Sequence, residues 1–334
     1  MRKRTAVLCA GITVVALLVF GAGVGAYNGY LAMAWDRGVT TIDDPDLVEQ
    51  LASRAEAPTS GSSSPVDILL FGTVDPQTEA GAAGADEIDS DLIMLAHIPA
   101  DRSGVQLVSI PNDTSVSVPG SGRDTIGAAV SLGLPMGVRA VSNLLGTEID
   151  HVVLIDLAML DTMVDLLGGV EVESTAAFES EGHAFTSGLN LLDSSSALAF
   201  FSGHGAFPDG TLQRIHNRQE FIRAAGSQLV STGHLSDPLK LSAAVRELSP
   251  YLSVDSGFDA STLVKFGSQL GAIGEDDIDF ITLPAADDDS SGDDSTGGDH
   301  GQLRADGYDL EELKRSIADD SVDDFAAEAT VRRR

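Results

Sequence analysis

Ser109-Ile110-Pro111-Asn112-Asp113-Thr114 is the stretch around which the rest of the chain falls into order. Val105–Ile110 is a short apolar run, and the turn-forming residues from Pro111 onward end it. Asp89-Ser90-Asp91 opens a second run, Asp91–Ile98, and Asp101-Arg102-Ser103-Gly104 separates the two as a hairpin-type turn does. Downstream, Arg214 lies in a helical run, Leu212–Val230. Val66–Thr73, His151–Asp156, Val170–Val172 and Phe280–Leu283 read as further strands. Helical periodicity recurs at Met136–Leu145, Leu157–Leu167, Ser194–Phe201, Pro238–Leu252 and Ser261–Leu270. Strands interleaved with helices predict an α/β fold, an αβα sandwich around a mixed β-sheet with helices on both faces. The hairpin turn makes part of that sheet antiparallel.

The chain has 334 residues, room for one large or two ordinary domains. Its 51 acidic and 20 basic residues leave a formal net charge of −31. Such a surface repels nucleic acid, whose affinity for proteins rests on Lys and Arg neutralising phosphates. The acidity suits a solvated or salt-adapted surface and leaves a partner-binding surface open as a second reading. Cys9 is the only cysteine, so no intrachain disulfide forms, and no apolar run precedes it as a lipoprotein anchor requires. There is no Gly-rich phosphate loop with lysine, no zinc-ligand pattern and no nucleophile elbow.

Arg2, Lys3 and Arg4 precede a segment, Ala6 to Tyr27, that is almost wholly apolar, and no further charge occurs until Asp36. A helix of roughly 20 such residues crosses a ~30 Å hydrocarbon core. Cations before the segment and Asp36, Asp43, Asp44 and Asp46 after it fit the positive-inside rule. The expectation is one N-terminal transmembrane helix, a cytoplasmic N-terminus and an extracytoplasmic main domain, with Tyr27, Tyr30 and Trp35 at the outer interface. A cleaved signal peptide is the rival, with Gly21-Ala22-Gly23 and Gly25-Ala26 as small-residue cleavage sites. Both readings export the rest. The organisation expected is a basic end and anchor over 1–35, a stalk and linker over 36–65 and the main domain over 66–284. An acidic stretch, 285–307, too poor in apolar residues to order itself, then leads to a short helix and tail over 308–334.

Taken in order, these segments resemble the signature blocks of the LytR-CpsA-Psr family, also known for its cell envelope-related transcriptional attenuator domain. Val66 to Gly72 and Thr73 look like the family's first strand, although Val74 stands where an aspartate is usual. Asp89 to Leu95 looks like its R-S-D-T-M-M-L block, and Ser109 to Thr114 like S-I-P-R-D-T. Thr125 to Ala129 resembles K-I-N-A-A, Asp150-His151 the I-D-H turn, and Gly168 to Val172 the G-G-V-x-V strand. Leu189-Asn190 with Ala197 to Phe200 resembles L-N-G-x-x-A-L-x-Y, and Arg214-Ile215 with Gln219 fits R-I-x-R-Q-Q. Ser-Ile-Pro and Gly-Gly-Val occur widely; the ordered series carries the resemblance.

The resemblance implies a membrane-anchored enzyme that moves a glycosyl phosphate from a polyprenyl-pyrophosphate carrier to a hydroxyl of peptidoglycan in the bacterial envelope. It implies Mg²⁺ at the positions of Asp91 and Asp113, which would also be the catalytic pair, and an anion-binding role for Arg214. It further implies an apolar groove for the lipid, for which helices Leu157–Leu167 and Ser194–Phe201 have suitable side chains. A pyrophosphate calls for forked guanidinium groups, each charge-assisted contact contributing ~1.5–3 kcal/mol. Here the family's usual arginines are replaced by Asp89, Asn112, Ser202 and Asn217, and its lysine by Thr125. Arg123, Arg218 and His204 are the cationic candidates nearest the replaced positions. On residues alone, Asp113 also suits a turn cap, Asp91 a surface position at a strand start, and Arg214 a stem covering apolar surface. Two functions therefore stay open, a weakened glycopolymer phosphotransferase and a non-catalytic relative that binds a lipid-linked glycan or an envelope partner.

Overall fold

The structure is a computed structural model and describes residues 29–55, 64–73, 90–203, 210–234, 237–269, 277–287, 303–305 and 307–332. The expected anchor at 6–27, most of the linker, Asp89, His204 and the acidic run 288–299 lie outside these residues. Among the described residues no helix is long and apolar enough to cross a membrane.

Seven strands form the central sheet: β1 (Thr40–Thr41), β2 (Val66–Thr73), β3 (Ser90–Ile98), β4 (Val105–Ser109), β5 (His151–Asp156), β6 (Leu252–Val254) and β7 (Ile278–Thr282). Their order is β1-β6-β5-β2-β3-β4-β7. β2 runs parallel to β5, and β4 parallel to β7, while β3 is antiparallel to both β2 and β4. The sheet is therefore mixed, antiparallel across β2, β3 and β4, where the hairpin turn 101–104 lies, and again between β5 and β6. In chain order the helices are α1 (29–38), α2 (Pro45–Ala55), α3 (Ile126–Ser131), α4 (Leu134–Leu145), α5 (Met159–Leu167) and α6 (Ser194–Ser202). They continue as α7 (Gly210–Ser231), α8 (Pro238–Leu248), α9 (Ala260–Gln269), α10 (Gly307–Ala318) and α11 (Val322–Arg332).

Successive strand side chains point to opposite faces, and each face fills its own core. Leu69, Phe71, Ile93, Leu95, Val108, Val152 and Leu154 pack under α2, α3, α4, α10 and α11. Ile68, Leu92, Met94, Ala96, Leu107 and Val153 pack under α1, α5, α6, α7 and α9. Burial on both sides explains why these strands read as continuous apolar runs rather than as alternation. Gly72 stands opposite Leu92, where an added Cβ would come within 2.8 Å of the leucine's own, and the register shifts beside it.

Several elements differ from the expectation. The helical run at 238–252 stops at Leu248, turns through Ser249–Tyr251 and continues as β6. The segments read as a stalk belong to the cores: Ile42 and Leu47 join one, and Trp35, expected at a membrane interface, joins the other. Its indole N–H reaches the Phe258 carbonyl at 3.4 Å. At either end of the acidic run, Ala285–Asp287 and Leu303–Ala305 pair as antiparallel strands. Beyond it, α10 and α11 bury Leu313, Ile317, Val322 and Phe325.

Candidate functional site

β2, β4, β5 and β7 all end at the edge of the sheet where β3 begins, which brings Thr73, Ser109, Asp156, Thr282 and Ser90 to one end. In open α/β sheets, ligands sit outside the carboxyl ends of the strands. The turn after β4 is built there from backbone bonds. Ile110 N–H donates to Ile93 O at 2.9 Å, and Thr114 N–H closes the turn on Pro111 O at 3.1 Å. Gly127 N–H donates to Asn112 O at 2.7 Å, Ile126 N–H to Thr114 O at 2.9 Å, and Leu303 N–H to Asp113 O at 3.1 Å. A Cβ on residue 127 would lie 3.1 Å from Asn112 O, so glycine lets α3 start this close to the turn. The turn is thus held from three sides, with Asp113 half-buried on it.

Helix α7 supplies the cations. Arg214 and Arg218 are four residues apart and share a face with Ile215. With Leu92, Ile93, Ser109, Ile110, Pro111 and Asn112 they line a narrow cleft whose cavity of ≈10 Å³ has room for about one water. Arg214 Nε is buried and makes no hydrogen bond among the described residues. A guanidinium stays charged and has only donors, so a buried one calls for an acceptor, ideally an anion. Arg218, 5% exposed, donates from Nε to Phe201 O at 3.3 Å and lies over the Phe201 ring, 5.3 Å from its centroid.

Two neighbours fix the helix. Gln219 is buried, and its Nε2 donates to Ser109 Oγ at 3.0 Å and Thr282 Oγ1 at 3.1 Å, which moors α7 to the ends of β4 and β7. Asn217, wholly buried, donates to Phe200 O at 3.4 Å and accepts from Gln213 Nε2 at 2.9 Å. The residue that replaces a usual arginine is therefore an internal tie. Thr125, in place of the usual lysine, caps α3 by accepting from Ala128 N–H at 3.1 Å.

Of the residues singled out in the sequence, Arg214 and Arg218 line one cleft with Asn112, and Asp113 is the next residue of the same turn. Asp91 is the second residue of β3, two positions before Ile93, which lines the same cleft; its side chain is outside the described part. Arg123 is exposed on the hairpin Ser115–Val118/Gly122–Thr125, its Nε donating to Ser115 Oγ at 2.8 Å, two residues beyond Asp113. No group of three or more potential metal ligands occurs among the described residues. Mg²⁺ takes only one or two carboxylates and completes its shell with water and substrate phosphate, so a carboxylate such as Asp113 has the chemistry of an Mg²⁺ ligand. The helices expected to line a lipid groove are packed shut: Leu160, Val164, Leu167, Ala197, Phe200 and Phe201 are core side chains. Gln219 and the Leu303 amide carried no sequence signal of their own. Gln219 stood only as one letter of a motif, and a backbone donor has no side chain to read.

The family model LytR_cpsA_psr matches residues 41–311. The chain is 28% identical to the cell wall biosynthesis protein LcpA of Corynebacterium glutamicum over 84% of its own length and 60% of that protein's, so it spans less than two thirds of this relative. It is 27% identical to the polyisoprenyl-teichoic acid–peptidoglycan teichoic acid transferase TagU of Bacillus mycoides, over 78% of this chain and 83% of that one. In fold it is similar to Bacillus subtilis TagV, with a TM-score of 0.61 at 19% identity over 78% and 98% of the two chains. It is likewise similar to a LytR-Csp2A-Psr enzyme from Actinomyces oris, with a TM-score of 0.60 at 22% identity over 79% and 93%. With the mixed sheet, the turn at Asp113 and the arginine helix in place, the chain belongs to the LytR-CpsA-Psr family.

Proposed function

We propose that the cleft between the Asp113 turn and α7 binds the pyrophosphate of a polyprenyl-linked glycan and passes the glycosyl phosphate to a hydroxyl of peptidoglycan in the bacterial envelope, the new P–O bond forming as the bridging P–O bond breaks and polyprenyl phosphate leaves. The observation that carries this reading is the buried Arg214 Nε, which makes no hydrogen bond among the described residues and lines the cleft beside Asn112 at the carboxyl ends of the strands. Phosphoryl transfer asks the protein mainly for positioning and for charge placed where negative charge develops. Arg214 and Arg218 bind and orient the phosphate oxygens, with Arg123 entering from the neighbouring hairpin. In this reading Asp113 or Asp91 takes the proton of the acceptor hydroxyl. A Mg²⁺ held by the same two carboxylates would neutralise charge on the bridging oxygen. The relatives named above support the substrate class. The apolar segment 6–27 supports a single-pass anchor with the domain outside the cytoplasm.

The replacements at Asp89, Asn112, Ser202 and Asn217 argue for weak transfer. Loss of one preorganised donor commonly costs on the order of 10²–10³ in rate. Asp89 reverses a charge, and one charge pair at ~4 Å is worth about 4 kcal/mol at an effective dielectric of ~20 before desolvation is discounted. The inward commitments of Asn217 and Arg218 favour the second reading, a non-catalytic relative that holds a lipid-linked glycan. Binding and hydrolysis of a polyprenyl pyrophosphate with Mg²⁺, wild type against Asp89→Arg/Asn112→Arg, decides between them. Tighter binding with restored turnover in the double variant supports a weakened transferase. Wild type turning over as fast as an arginine-complete relative would overturn the weakened site, and binding without turnover in both forms leaves the binding protein.

A further inference from the structure

Far from the cleft, at the other end of the sheet, a second polar group is fully enclosed. His97 is 0% exposed and stands opposite Asp67 in the β2–β3 register. Its Nδ1 lies 2.7 Å from Asp67 Oδ1, and its Nε2 lies 3.2 Å from Asp320 Oδ1. Asp67 is 2% exposed, and its other oxygen accepts from Thr147 Oγ1 at 2.6 Å. Asp320 sits in the turn between α10 and α11 with a left-handed backbone, φ 57°, and its other oxygen accepts from Ala100 N–H at 3.0 Å. At its other end the C-terminal segment touches the candidate site, where Leu303 N–H holds Asp113 O and Leu303 bridges Thr114. One segment therefore runs from the Asp113 turn to His97.

We propose that residues 303–305 and 307–332 act as a strap that holds the Asp113 turn in position, and that the contact of His97 with Asp320 is its protonation-dependent latch. A neutral imidazole has one donor and one acceptor, so it can satisfy only one of two carboxylates; the imidazolium satisfies both. Burial by itself drives the His97 proton off, but hydrogen bonds and charge from Asp67, and then from Asp320, outweigh it and raise the group above its ordinary value. Among the described residues no cation pairs with the ring. Gln106, its register partner on β4, is uncharged, and Asp279 behind it is pushed up by burial and by Asp323 and Asp277. Asp150 is spent on the Asp67 amide, and the Arg102 guanidinium on the carbonyls of Ile98, Pro99 and Ser64. Because the folded value is the higher one, the latch is closed below the ordinary histidine value and opens as pH rises through the folded value. It opens at Asp320, whose 28% exposure lets water replace the histidine, and not at Asp67. The consequence for the cleft rests on Asp113 being a site residue; the latch does not.

The test is amide hydrogen exchange on the full chain in detergent at a series of pH values, corrected for intrinsic rates, in wild type and Asp320→Asn. Protection of residues 307–327 and of the Leu303 amide falls as pH rises, about tenfold for each unit by which His97 is raised, while β2 and β3 amides hold steady. In Asp320→Asn the strap is already less protected at low pH and the step disappears. Strap protection that ignores pH, or the same step in Asp320→Asn, overturns the latch; a step in α10 and α11 that leaves Leu303 unmoved overturns the strap. Exchange reports this whether or not the cleft binds a pyrophosphate, so failure of the transferase reading is seen separately.

Discussion

The two ends of the central sheet both gather charge and do opposite things with it. At the base, Asp67, His97, Thr147 and Asp320 satisfy one another, and beside them His151 and the Val152 amide meet Asp255 at 3.1 Å and 2.9 Å. At the mouth, Arg214 makes no ion pair among the described residues, and its buried Nε has no acceptor there. Charges that complete each other hold the fold, and a charge left incomplete holds capacity for something that arrives. The sharpest way to break this contrast is a pair of substitutions. Removing one partner of a buried ionic group costs about 3–5 kcal/mol, because the other is left uncompensated. Asp67→Ala should lose that much in denaturant unfolding. Arg214→Ala should stay within about 0.5 kcal/mol of wild type yet bind polyprenyl pyrophosphate roughly 10- to 150-fold more weakly, the ~1.5–3 kcal/mol of one charge-assisted contact. An Asp67→Ala chain as stable as wild type, or an Arg214→Ala chain that unfolds early, removes the distinction.

Gln219 lies between the two cases, since it joins the arginine helix to the sheet without touching the cleft. Gln219→Leu leaves the Ser109 and Thr282 hydroxyls, on the ends of β4 and β7, without their donor. That costs about 1–3 kcal/mol. It also frees α7 to shift, so pyrophosphate affinity should fall too, by less than in Arg214→Ala. Gln219→Glu should recover much of the stability, because both hydroxyls can turn and donate to a carboxylate. If the leucine variant keeps full affinity at reduced stability, the mooring belongs to the fold alone and the mouth is held by something else.

How much of this was legible beforehand follows the physics of each element. β2, β3, β4 and β5 stood out because burial on both faces makes them unbroken apolar runs. β6 was hidden because Leu252 completes the helical periodicity of α8, and only the Ser249-Pro250 turn reveals the change. The hairpin from Ser115 to Thr125 is short and largely polar, and so gave no run to read. The mouth was legible in its side chains, since Asn112, Asp113 and Arg214 sit in recognisable blocks. Its backbone donors, Gly127 N–H and Leu303 N–H, were not, and Leu303 comes from a stretch read as too acidic to order. His97 drew no notice because a histidine at the end of an apolar strand looks ordinary until Asp320 arrives from far along the chain.

The smallest expected effect tests whether α6 belongs to the mouth or to the fold. Asp193 starts this helix with a capping box: its Oδ1 accepts from Ser196 N–H at 3.0 Å, and Ser196 Oγ accepts from Asp193 N–H at 3.0 Å. Hydrogen bonds from the hydroxyls of Ser196 and then Ser195 hold the Asp193 carboxyl below the usual aspartate value. A depressed folded value means stability that is present above the ordinary aspartate range and lost as pH falls through the folded value. Asp193→Ala should therefore melt a few degrees lower at neutral pH, with the gap to wild type closing in acid as the wild-type cap takes up its proton. Asp193→Asn keeps the acceptor and most of the cap, and should show a small gap that does not close. At its other end α6 offers the Phe200 and Phe201 carbonyls to Asn217 and Arg218. Those bonds lie two turns from the cap and are backed by Phe200 and Phe201 in the core, so a frayed first turn should leave pyrophosphate affinity unchanged. Should Asp193→Ala weaken binding as much as Gln219→Leu does, Arg218 is set by α6 rather than by the mooring of α7, and the mouth draws its geometry from the core face instead of the sheet end.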